Sequence, residues 1–131
     1  MSKSILFNLL PYRSAPTGLS RYTERLLKAW SMAEGGTQPL QLRVNAEGEA
    51  ELAQTELRPL EQRSQRMRWL QANSLVQHAV PTRKLIAKAD PAVIYSPYTD
   101  RLLAVSDRPQ VITCHDLTPL YFPSSRRAYW R

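Results

Sequence analysis

The chain has one cysteine, Cys114. A lone thiol excludes any intramolecular disulfide and suits a reducing compartment. Its apolar neighbours Val111 and Ile112 predict a buried, inert thiol. Histidine is nearly as scarce, with His78 and His115 alone. His78 falls within a helical pattern, and no Cys/His/Asp set has ligand spacing, so no metal site is expected. The four glycines form neither GxGxxG nor a phosphate-binding loop ending in Gly-Lys-Ser/Thr. No G-x-S-x-G is present, and no carboxylate pair has a glycosidase-like context. Long apolar runs are missing too. The N-terminal MSKSILFNLL stops at Pro11, too short for a signal-peptide core or a bilayer span, so a cytoplasmic protein is expected.

What is present is ordinary globular material. The 131 residues are 43% hydrophobic and 22% charged, enough for one domain with a core. The net charge of +7 favours acidic partners such as nucleotide phosphates, nucleic acid or an anionic membrane, or it is simply a solvated basic surface. Arg58, Arg63, Arg66, Arg68, Arg83, Lys84 and Lys88 concentrate the positive charge.

Ile5 to Leu10 is an apolar run broken by Asn8, which reads as a strand covered on both faces. A turn-rich loop, PYRSAPTGLS, follows. A helix is predicted from about Ser20 to Glu34, with Leu19, Tyr22, Leu26, Trp30 and Ala33 as its apolar stripe and Gly35-Gly36 as its stop. Leu40, Leu42 and Val44 alternate with polar residues, predicting a half-exposed strand. Residues 45–51 read as a polar turn, and a third strand falls within Leu52 to Leu60. The pattern predicts a helix over Gln62 to Ala79 and a second, begun by Pro81, through Ala89. Strands are expected at Ala92 to Tyr95 and over Gln110 to Cys114, and Val111 to Thr118, which overlaps the latter, is expected as a buried strand that carries His115 and Asp116 to a ligand site. A short apolar stretch lies at Leu102 to Val105, and a helix starts at Ser124.

Strand-helix alternation predicts an α/β fold with a parallel sheet and helices on its faces. Ligands of such sheets bind beyond the carboxyl ends of the strands. Two segments reach that edge. Gly18 stands between a strand and a helix, where backbone N–H groups attract an anion, or it is merely a turn glycine. His115 and Asp116 follow a strand. The imidazole can donate to a substrate hydroxyl or phosphate, or it can satisfy a local carbonyl while Asp116 caps a turn. The aromatics Tyr121, Phe122, Tyr129 and Trp130 read as packing residues.

TGLSRYTERLLKAW resembles the Gly-x-x-Arg-Tyr helix entry of family 4 glycosyltransferases with the GT-B fold. ADPAVIYSPYTD and PQVITCHDLTPLYFP resemble the same family's Ser-Pro segment and its His-Asp-Leu-x-Pro-Leu strand and loop, and RWLQANSLVQHAVPTRKL resembles the helix before them. Tyr95 stands where many members have histidine. The resemblance implies a Rossmann-like parallel sheet with helices on both faces. Residues 1–131 would be an incomplete N-terminal, acceptor-side half of a GT-B fold, with the nucleotide-sugar domain absent. It implies that Gly18, with Leu19 and Ser20, approaches the donor diphosphate, and that His115 and Asp116 lie in the cleft near the donor sugar. The implied activity is hexose transfer from a nucleotide-sugar to a glycan, lipid or small-molecule acceptor, retaining and metal-independent. No cofactor beyond the donor and no nucleic acid is implied, and this chain alone would be inactive. Peripheral contact with the inner membrane face and self-association are compatible with it. A different class remains open: a small basic module binding nucleic acid or an anionic membrane through the Arg58 to Lys88 patch. A response-regulator-like domain would need an acidic cluster after the first strand, where Asn8, Pro11 and Tyr12 stand instead.

Overall fold

A computed structural model describes residues 4–10, 12, 17–45, 47, 49–57, 75–97 and 107–115, with backbone alone for 75–79. The elements are β1 (Ile5–Asn8), α1 (Gly18–Ala33), β2 (Leu40–Val44), β3 (Ala50–Ala53), α2 (Leu75–Ala89), β4 (Val93–Ser96) and β5 (Gln110–Ile112). They form a mixed α/β fold on one five-stranded sheet of order β3-β2-β1-β4-β5. β1 is central. It runs parallel to β2, with Leu6 opposite Leu40, and parallel to β4, with Leu6 opposite Ile94. β4 and β5 are also parallel.

The continuous apolar character of β1 follows from its place. Successive side chains point to opposite faces, and both faces are covered. Leu6 joins Leu42, Ile94 and Ile86 of α2 in one core cluster, whereas Phe7 joins Leu9, Tyr12 and Leu27 of α1 in the other. The helices therefore lie on opposite faces of the sheet. Phe7 also meets Trp30 and Tyr95 edge-on, each with ring centroids 5.3 Å apart.

α1 is delimited by its sequence. Thr17 is the N-cap, its hydroxyl accepting from the Ser20 N–H at 3.2 Å. At the other end Gly35 and Gly36 take positive φ, and the Gly36 N–H donates to the Ser31 carbonyl at 2.7 Å, closing the last turn as a Schellman cap. The buried face differs from the expected stripe. Ser20, Thr23, Leu27 and Ser31 are buried, whereas Leu19 and Tyr22 are exposed and Ala33 lies on the surface. The face is rotated by about one residue, because small hydroxyl side chains allow a close approach to the sheet. The Thr23 hydroxyl is satisfied locally, donating to the Leu19 carbonyl at 2.9 Å, and the Ser20 hydroxyl bonds to that of Thr17 at 2.9 Å.

Other expectations need correction. β2 is not half-exposed. Gln41 is fully buried, its amide donating to the Thr55 carbonyl at 3.0 Å, because the chain beyond β3 folds over that side. The third strand is Ala50–Ala53: it begins two residues earlier than expected, in the segment read as a turn, ends at Ala53, and runs antiparallel to β2. The sheet is thus mostly, not wholly, parallel. A short link between β2 and β3 permits only a hairpin, and the cross-strand pair Arg43–Glu51 supports it at 2.9 Å. Pro81 does not begin a helix: α2 runs through it from Leu75. Proline there removes one backbone bond, and Ile86 and Leu85 hold the helix by packing on the sheet.

The segment beginning at Val111 is the largest correction. β5 spans only Gln110–Ile112, and Val111 and Ile112 are 52% and 42% exposed. Cys114 is exposed rather than buried. Among the described residues β5 is an edge strand, paired on one side by β4. The expectations for residues 58–74, Leu102 to Val105, Asp116 and 117–131 lie outside the described residues.

Among the described residues no helix is long and apolar enough to cross a membrane.

Candidate functional site

The chain leaves β1 to one side for β2 and β3, then returns to the other side for β4 and β5. The strand order therefore reverses between β1 and β4. In open α/β sheets a crevice forms outside the carboxyl ends at such a point. Asn8 closes β1 there and Ser96 closes β4. The Asn8 amide donates to the Ser96 hydroxyl at 3.0 Å, and both side chains are buried. The Asn8 carbonyl oxygen accepts from the Leu10 N–H at 3.3 Å. Asn8, the residue that broke the apolar run, is thus a fastener between neighbouring strands.

α1 starts above this edge. Gly18, Leu19 and Ser20 form its first turn. The Ser20 N–H is taken by Thr17, while the amides of Gly18 and Leu19 lie in the turn that has no helical acceptor. Gly18 is exposed, and a methyl group placed on its Cα would meet no atom within 4 Å. Among the described residues the left-handed glycines are Gly35 and Gly36, so Gly18 is not demanded by the turn. The Tyr12 hydroxyl donates to the Glu24 carboxylate at 2.7 Å and ties the loop after β1 to the helix.

His115 follows β5 at the same edge. Its Nε2–H donates to the Pro97 carbonyl at 2.7 Å, just beyond β4. The structural reading of this histidine therefore holds for one ring nitrogen. Among the described residues Nδ1 has no hydrogen-bond partner, which leaves it for a ligand. The imidazole also meets the Tyr22 ring edge-on, centroids 4.7 Å apart and planes at 78°. The Tyr22 hydroxyl bonds to that of Tyr95 at 3.0 Å, and Tyr95 bonds in turn to the Thr113 hydroxyl. Burial raises the Tyr95 phenol above its usual 10.0; the Thr113 bond opposes the rise and the Tyr22 bond adds to it.

The structure thus joins the two segments singled out in the sequence, and Tyr22 is the link. Sequence reasoning missed Tyr22, Tyr95 and Thr113 as site residues. Tyr22 falls in the expected apolar stripe; its phenolic oxygen and its place in the Gly-x-x-Arg-Tyr segment are the signals that point to the edge. Asp116 lies outside the described residues. Of the basic patch, Arg83, Lys84 and Lys88 are described, all exposed on α2. Among the described residues no three His, Cys, Asp or Glu side chains converge as metal ligands.

No protein-family profile, curated protein or solved structure matches this chain.

Proposed function

We propose that this chain is the acceptor-side, Rossmann-like N-terminal part of a GT-B glycosyltransferase that moves a hexose from a nucleotide-sugar to an acceptor hydroxyl. The observation that carries this reading is the meeting of the first half of α1 with His115 through Tyr22, at the carboxyl edge of a mostly parallel sheet. The resemblance of TGLSRY and HDLTPL to that family supports it independently. Such an edge suits a sugar. Hydroxyls of Tyr22, Tyr95 and Thr113 stand beside an imidazole and aromatic rings, the groups that recognise polyols by hydrogen bonding and ring contact.

In the transfer, the acceptor oxygen bonds to the anomeric carbon and the bond to the diphosphate breaks. The diphosphate leaves with its electron pair, and the acceptor proton is released. His115 would bind a sugar hydroxyl through Nδ1, and the amides of Gly18 and Leu19 would face the diphosphate. The sheet forms one wall of the cleft, so transfer needs a second domain that holds the nucleotide.

The test is an NMR titration of the 131-residue chain with UDP-hexose, GDP-hexose and a short oligosaccharide. Shifts at Gly18, Leu19, Tyr22, Thr113 and His115, with no turnover of either donor, are expected. Turnover by the chain alone, or a silent carboxyl edge with every probe, overturns the reading. Salt-sensitive shifts at Arg83, Lys84 and Lys88 with duplex DNA or anionic vesicles, the edge staying silent, would favour the basic-module alternative.

A further inference from the structure

We propose that Tyr22 is a positioning residue for His115: it holds the imidazole in one orientation and one tautomer, Nε2–H toward the Pro97 carbonyl, so that Nδ1 is presented as the acceptor. The inference deepens the reading of the carboxyl edge as a ligand site, and its test reads the ring itself rather than any ligand.

His115 lies on an exposed stretch after an edge strand three residues long, with little of its own packing to orient it. Two contacts among the described residues do so. One is the Nε2–H bond to Pro97, and the other is the edge-on contact with the Tyr22 ring. Tyr22 can serve as a fixed wall because it is held at both ends. Its backbone sits in the second turn of α1, next to Thr23, which is fully buried against the sheet. Its hydroxyl is tied to Tyr95, and Tyr95 is held by Thr113 and by edge-on contact with Phe7 of the core. A chain of contacts thus runs from the core to the imidazole. Without the wall, the ring could turn about its Cβ–Cγ bond and give up the Pro97 bond.

An edge-on aromatic pair stabilises one arrangement by a factor of about two to twelve. A free neutral histidine already favours the Nε2–H form, and a factor in that range strengthens the preference. The tautomer matters because a neutral imidazole accepts at one nitrogen only. With Nε2 protonated, Nδ1 accepts a hydrogen bond from a ligand hydroxyl.

The experiment is long-range proton–nitrogen correlation NMR on the nitrogen-15-labelled chain, which has only His78 and His115 to resolve. In the parent chain, the neutral His115 ring is expected as the Nε2–H tautomer, with nuclear Overhauser contacts between its ring protons and those of Tyr22. Tyr22→Leu, with the Ile94 and Leu6 methyl shifts unchanged, is expected to cut the tautomer ratio about two- to twelvefold. Tyr22→Phe, which keeps the ring, is expected to restore most of it. A merely structural Tyr22 would leave the tautomer ratio unmoved in both variants. An unchanged ratio in folded Tyr22→Leu overturns the proposal. Should that variant fail to fold, the parent chain decides: missing Tyr22–His115 contacts, or an even tautomer mixture, overturn it equally.

Discussion

The side chain of Asn8 is bonded to that of Ser96 across the point where the strand order reverses, 3.0 Å apart and shut away from solvent. The bond closes the floor of the candidate crevice and holds β1 and β4 in register at their carboxyl ends. Asn8→Ala leaves the Ser96 hydroxyl and the Leu10 N–H without this partner, and is expected to cost about 1–3 kcal/mol. Urea unfolding measures it. A double-mutant cycle with Ser96→Ala should show coupling, and strict additivity would mean that the bond contributes nothing.

The face that α1 buries can be checked by two substitutions of opposite intent. Thr23→Leu puts extra volume into a fully buried position and is expected to destabilise by about 1–3 kcal/mol, although leucine is the more hydrophobic residue. Leu19→Ala, on the exposed side, should change stability by no more than about 0.5 kcal/mol. Thermal unfolding of both variants compares them. The reverse ranking would show that the helix sits the other way round.

Two glycines at opposite ends of α1 should respond differently to alanine. Gly35 has φ of +63°, so Gly35→Ala is expected to lose about 1–2 kcal/mol. Gly18 has space around it and no left-handed backbone, so Gly18→Ala should be neutral or gain up to about 1 kcal/mol of helix stability. Weakened nucleotide-sugar shifts in that stable variant would show that the added methyl group blocks approach to the helix start. Unaltered shifts would remove Gly18 from the site.

Tyr95 makes stability fall at high pH. Its phenol is harder to ionise in the folded chain than in the unfolded one, chiefly through burial. The folded state therefore holds the proton more tightly. The contribution is complete below the unfolded pKa of 10.0 and is lost as pH rises through the higher folded value. Urea unfolding at about pH 8 and about pH 11 should show a drop that Tyr95→Phe reduces. An equal drop in both chains would assign the alkaline loss to other groups.

Local pattern carried a good part of the fold. The ILFN strand and the helix that stops at Gly35-Gly36 are where the sequence puts them, because each depends on residues within one or two turns of chain. Asp90 takes φ of +44°, as an aspartate in a turn can. His115 was legible as a residue at the carboxyl end of a strand. Its partners were not, since Tyr22 and Pro97 are distant in the chain and nothing in a local period refers to them.

The amino-acid sequence by itself determined β1, α1, β2 and β4 and an alternation that predicts an α/β sheet, since hydrophobic period and caps act between near neighbours. Only tertiary structure decided which strands are adjacent, and that choice set everything at the edge. Among the described residues β5 pairs with β4 alone, and Val111, Ile112 and Cys114, apolar enough for a core, are exposed. The antiparallel return of β3 followed from a link too short to cross the sheet. The close seating of Ser20 and Thr23 turned α1 so that Tyr22 meets His115. Burial and contact at these positions depend on distant segments competing for the same surface, and no window of sequence contains both competitors.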